Sequence, residues 1–164
     1  MSQNFMQDGL TITIPVASGV TKIYAGCPVY ISGGGVMAPA GVATGIDGVA
    51  TATCAGTADP NNYIPADCTF RTDGVFAFAP AQGTTLAIGN DAFVAACDNS
   101  TASPVAYEQV GARFTIHNRA TATGGDVAIG KVIGLGAGWG FKNLPATYGL
   151  VKIVTLSNSN IAVK

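Results

Sequence analysis

The amino-acid sequence predicts an all-β chain: a compact single-domain barrel or sandwich of short strands with little helix, led by an extended N-terminal arm. Three observations carry this expectation. Apolar and polar residues alternate over short runs, a period of two that belongs to strands with one buried face. Glycine supplies 22 of 164 residues and punctuates these runs at intervals too short for a helix, where each interior glycine costs about 1 kcal/mol. No segment of ten residues has helical periodicity. The length suits one domain able to bury a core without metal or disulfide staples.

Residues 1–9 (MSQNFMQDG) read as a polar, amide-rich arm and residues 10–164 as the β-rich domain. The arm has two readings, a frayed terminus or a peptide that docks on a neighbour by adding to a sheet edge. Leu10, Ile12, Ile14 and Val16 then alternate with Thr11, Thr13 and Pro15. Pro15 cannot donate to a ladder, so this strand is expected at an edge or ends there. Between Val20 and Thr53, short apolar runs separated by glycines predict several strands, among them Val36-Met37 and residues 42–53.

Residues 55–67 (AGTADPNNYIPAD) form the first long loop, and loops of that length are disproportionately functional. Phe70, Val75, Phe76 and Phe78 follow around Thr72-Asp73-Gly74, an Asp-Gly hairpin signal, with Phe76 and Phe78 sharing a core face. Residues 84–95 read as strand, glycine turn and strand. Gly89 is expected to shape the corner, with Ile88 and Phe93 filling the core. The outline recurs in residues 24–31 and 127–134, each an apolar approach, a glycine and an aliphatic exit. Residues 98–104 are a turn whose Asn99-Ser100-Thr101 reads as turn composition. Residues 113–117 alternate again, and two last strands, 127–135 and 150–156, flank a second long loop at 136–149.

Charged residues make up only 10% of the chain, against about 25% in ordinary soluble domains. Ala, Gly, Thr, Ser and Asn take their place, a surface suited to close protein contact and hence to an assembled state. Net charge is −1 with the signs interspersed, so neither a nucleic-acid footprint nor a patch for anionic membrane is present. No basic-then-apolar leader and no run of about 18 apolar residues occurs, which predicts a chain made in the cytoplasm and not placed in a membrane. Cys27, Cys54, Cys68 and Cys97 are too widely spaced for a zinc site and read as packed thiols rather than a disulfide framework.

No catalytic set is legible. Residues 125–131 (GDVAIGK) fit the first positions of a phosphate-binding loop, but Val132 stands where Ser or Thr must bind Mg²⁺ and no helix start follows. Residues 134–140 resemble a dinucleotide loop with Trp139 in place of the third glycine. His117 has no evident nucleophile partner, and Asp59, Asp67, Asp73, Asp91, Asp98 and Asp126 fall almost entirely in turns, where carboxylates bond backbone amides. The expectation is binding rather than chemistry, with no catalytic, metal or cofactor residues.

Five blocks in order, residues 4–13 (NFMQDGLTIT), 26–31 (GCPVYI), 73–76 (DGVF), 87–94 (AIGNDAFV) and 128–134 (AIGKVIG), resemble a family of tailed-phage capsid cement (decoration) proteins, over about residues 4–156. The resemblance implies a non-enzymatic protein on the outer surface of the mature phage head, clamping adjacent major capsid protein subunits. It implies a homotrimer first and a dimer as competitor. The two long loops look like insertions relative to the family. Within this reading Gln3, Asn4, Phe5, Met6, Gln7, Asp8 and Leu10 are the expected capsid-binding residues, pairing with a capsid strand while Phe5 and Met6 anchor in a pocket. Tyr63, Trp139, Phe141 and Tyr148 are the outer-surface aromatics. They also motivate an alternative, a glycan- or receptor-binding module of a virion fibre or surface structure. A β-rich hydrolase using His117 or Asp91 is the third reading.

Overall fold

The computed structural model describes residues 11–37, 45–97, 114–136, 144–155 and 163–164. The arm residues 1–9 with Leu10, the turn at 98–104, and Trp139 and Phe141 lie outside the described residues. Within them the chain is all-β, ten strands in two groups of five, with one 3₁₀ turn and no α-helix.

The first group comprises β1 (Thr11–Pro15), β2 (Pro28–Ser32), β3 (Gly35–Met37), β4 (Gly48–Ala50) and β5 (Asp67–Arg71), in the order β1-β5-β4-β2-β3. The second comprises β6 (Val75–Pro80), β7 (Asp91–Cys97), β8 (Phe114–His117), β9 (Ala128–Leu135) and β10 (Gly149–Ile153), closed into a barrel. Pro15 ends β1, an outer strand of the first group, as its missing N–H requires.

The two groups repeat one strand framework, the first as a sheet and the second as a closed barrel. Read around the barrel, the second order is β6-β10-β9-β7-β8, the first order with five added to each number. Every neighbour relation is antiparallel except one per group: β6 runs parallel to β8, and a parallel bridge joins Val16, just after β1, to Val36 in β3. Register matches at corresponding pairs, although the second group also carries shifts near Ala92, Val94 and Leu150. Pro28 faces Val49 as Asp91 faces Lys131, and Val29 faces Gly48 as Ala92 faces Gly130. Loop hydrogen bonds repeat as well. Ala17 N–H donates to Val36 O at 3.0 Å and Ala81 N–H to Ile116 O at 2.9 Å; Gly26 N–H reaches Ala50 O at 2.7 Å and Gly89 N–H reaches Val132 O at 2.8 Å. Gly26 (φ 84°) and Gly89 (φ 91°) make the same left-handed corner into the second strand of each half, a conformation that side chains beyond glycine rarely take.

The halves share one core. Val29, Val36, Val49, Phe70 and Ile23 from the first pack in the same buried cluster as Phe78, Ile116, Ile129, Val132 and Val151 from the second. Each such side chain contributes about 1.5–3 kcal/mol on leaving water. The Phe78 and Phe114 rings add a tilted contact at 5.2 Å. Phe76 lies partly buried against this cluster beside Phe78.

Three expectations need correction. Thr72-Asp73-Gly74 does not close a hairpin, because both edges of β5 are taken by β1 and β4; the turn hands the chain to β6, whose partners are β10 and β8. Residues 84–87 form no strand, and Ile88 is 68% exposed while Phe93 is fully buried. Ile88 occupies a tight turn in which Asn90 N–H donates to Ala87 O at 3.0 Å and Ala87 N–H to Asn90 Oδ1 at 2.9 Å, so the inward position goes to Leu86 instead. The outline at 127–134 is not a third corner: Gly130 lies inside β9, where a Cβ would run into the Lys152 carbonyl and the Val151 side chain.

Candidate docking surface

The connection from β4 to β5 is the best-defined projection among the described residues. Its base is drawn together where Ala55 N–H donates to Pro65 O at 3.0 Å and Val16 N–H to Ala66 O at 2.8 Å. Further out, Asp59 and Ile64 exchange backbone bonds at 2.8 and 2.9 Å, a miniature antiparallel bridge. Pro60–Asn62 between them make one 3₁₀ turn, favoured by the fixed φ of Pro60 at its start. Asp59 ties the turn by accepting from Asn61 N–H at 3.1 Å and from Asn62 Nδ2 at 2.7 Å. The Asn62 amide, with the Asn61 and Asn62 backbone N–H groups and the Lys22 cation, holds the Asp59 carboxyl below the usual aspartate range.

Tyr63 stands at the tip of this tied turn. Its backbone is left-handed (φ 54°, ψ 36°), the one described non-glycine residue with positive φ, and the residue is 92% exposed. A left-handed tyrosine costs on the order of 1–3 kcal/mol, and persists only where surrounding bonds over-determine it. The bridge, the Asp59 cap and the Tyr63 N–H bond to Pro60 O at 3.4 Å supply that determination. The result is a large aromatic held out from the fold, almost fully exposed.

The equivalent connection in the second half runs from β9 to β10, and this is the other long loop singled out in the sequence, with Trp139, Phe141 and Tyr148. Of these Tyr148 is described: it is partly buried at the base, its N–H donating to Pro145 O at 3.1 Å and its carbonyl accepting from Gly136 N–H at 2.9 Å. The Tyr148 backbone therefore ties the foot of the loop. Its aromatic spacing in the sequence hides this, since only pairing across β9 and β10 brings residues 136 and 148 together.

The polar groups elsewhere are engaged in holding the framework. Asp91 accepts from Arg119 at 2.9 Å and from Lys131 at 3.0 Å, and these bonds keep its carboxyl below the ordinary range. Arg119 also lies 5.5 Å over the Phe93 ring, and Lys131 reaches the Gly89 carbonyl, so the residue that would be a phosphate-loop lysine instead braces the Gly89 corner. Asp126 accepts from Thr123 N–H at 2.8 Å, and Asp73 from Gly74 N–H, the backbone role expected of turn carboxylates. His117 shares a 3.3 Å hydrogen bond with Thr84, which bonds Thr121 at 2.9 Å. Among the described residues no three His, Cys, Asp or Glu side chains converge as metal ligands. No protein-family model, curated protein or solved structure matches the chain.

Proposed function

We propose that the protein is a capsid decoration, or cement, protein that binds the outer surface of a mature phage head and stabilises it by bridging major capsid protein subunits. The observation that carries this reading is the duplicated scaffold, whose β4–β5 connection presents Tyr63 on a tied tip. A capsid lattice repeats one subunit, and a scaffold that repeats one framework suits contact with neighbouring copies of it. Many such contacts, each favouring the assembled lattice over its separated subunits, add up through mass action and effective concentration.

The low-charge surface and the ordered blocks of cement-protein character support the same reading. The arm residues Gln3 to Asp8 and Leu10 are proposed to add to a capsid strand, with the protein assembling as a homotrimer and acting without catalysis or cofactor. The test is sedimentation with purified mature heads, paired with mass analysis of the free protein. Full-length protein is expected to co-sediment at saturable stoichiometry, and a chain lacking residues 1–9 to remain folded yet fail to bind. Unchanged binding of the truncated chain would remove the arm from the mechanism; no binding by either would remove the function.

A second reading, a glycan- or receptor-binding module, is favoured by the exposure of Tyr63 alone, since a protruding aromatic face also stacks on sugar rings. Retention on a glycan array with no affinity for heads would select it.

A further inference from the structure

Cys54 and Cys68 sit at the two ends of the connection that presents Tyr63. Cys54 follows β4 and is bridged to Ile23, while Cys68 lies in β5 opposite Ile14. The pairing of Ala50 with Phe70 and the bond from Ala55 to Pro65 belong to one antiparallel register, which puts both cysteines on the same face two positions apart. Both side chains lie in the shared core cluster as free thiols, almost wholly shielded from solvent. The fold itself does not ask for sulfur at this place. Phe78 faces Gly149 in the second half as Ile14 faces Cys68 in the first, and there the Leu86 side chain fills the place in front of the glycine, so the repeated framework does not require sulfur.

We propose that Cys54 and Cys68 are a disulfide-forming pair that, on oxidation by a small disulfide such as glutathione disulfide, ties the ends of the Tyr63 connection covalently. Interaction with the Cys68 thiol, together with burial, pushes the Cys54 thiol up, and the same interaction eases ionisation of Cys68, which makes Cys68 the first nucleophile. Its thiolate attacks one sulfur of the small disulfide and expels one small thiolate, leaving a mixed disulfide on Cys68. Cys54, giving up its proton to solvent, then attacks the Cys68 sulfur and expels the second small thiolate. Two protein thiols and one disulfide become one protein disulfide and two small thiols, with two electrons passing to the oxidant. Burial keeps the native pair from exchanging quickly, so closure occurs during folding or through local opening of the connection.

The full-length chain is refolded, and separately incubated in the native state, with glutathione disulfide or with reduced glutathione. The expected product has lost about 2 Da, gives one crosslinked peptide joining Cys54 to Cys68, and melts roughly 5–10 °C higher than the reduced protein. Cys54→Ala and Cys68→Ala are each expected to abolish the crosslink, whereas Cys27→Ser retains it. Mapping of the unsubstituted chain decides the matter even if a variant fails to fold. Retention of both thiols after oxidative refolding, a bond joining other cysteines, or an oxidised protein that melts no higher than the reduced one would each overturn the proposal.

Discussion

Gly48 and Gly130 hold the same register position in the two halves of the chain, and at each the neighbouring strand comes too close for a side chain. A Cβ on Gly48 would strike the Arg71 carbonyl and the Phe70 ring; on Gly130 it would strike the Lys152 carbonyl and Val151. Gly89 differs, for a Cβ there meets nothing within 4 Å and only its φ of 91° resists substitution. Gly130→Ala is therefore expected to destabilise by about 2–3 kcal/mol through backbone displacement, and Gly89→Ala by about 1 kcal/mol through strain alone. Urea unfolding midpoints at constant slope compare them directly.

Because one buried cluster runs through both halves, the duplication does not make two independent units. Heat should unfold the protein in a single transition, with calorimetric and van't Hoff enthalpies equal. Two resolved transitions would mean that the interface between the halves contributes little.

Acid sensitivity follows from Asp91 and Asp73. Arg119 and Lys131 lower the first, and Lys152 with the Gly74 N–H lowers the second. Groups with a depressed folded value stabilise fully above the unfolded aspartate value of about 3.9, and that contribution is lost as pH falls through the folded values. The thermal midpoint should therefore drop below about pH 4. Asp91→Asn should weaken that dependence while costing roughly 0.5–1 kcal/mol at neutral pH, a small figure because both cations are half exposed.

Tyr63 separates stability from binding. Replacement by glycine removes the left-handed strain and takes away no core contact, so Tyr63→Gly should leave stability unchanged or raise it by about 1 kcal/mol. Head binding should fall at least about tenfold if the exposed ring is an anchor. A variant that binds normally would move the contact away from this tip.

The period-two runs made the strands readable directly: Ile12 with Ile14, Phe76 with Phe78, and Phe114 with Ile116 all turn one face to the core. Glycine spacing announced the corners at Gly26 and Gly89, and the echo between residues 24–31 and 84–95 was a trace of the duplication. The third echo misled because a glycine that serves a turn and one that admits a neighbouring backbone look alike in a string of letters. Strand order escaped for a related reason. Asp73-Gly74 promises a turn whether the next strand returns beside β5 or leaves for another sheet, and only the occupied edges of β5 decide.

Sequence by itself determined the alternating strands and the corners at Gly26 and Gly89, since φ preference and alternation are properties of a residue and its near neighbours. The tertiary structure alone decided that both long loops fill the same slot of a twice-built framework. It also decided that Tyr148 belongs to a loop's foot while Tyr63 stands free at a tip, and that Cys54 and Cys68 share one core cluster across fourteen positions. These are contacts between residues far apart along the chain, selected by burial of the shared core and by which strand edges remain open.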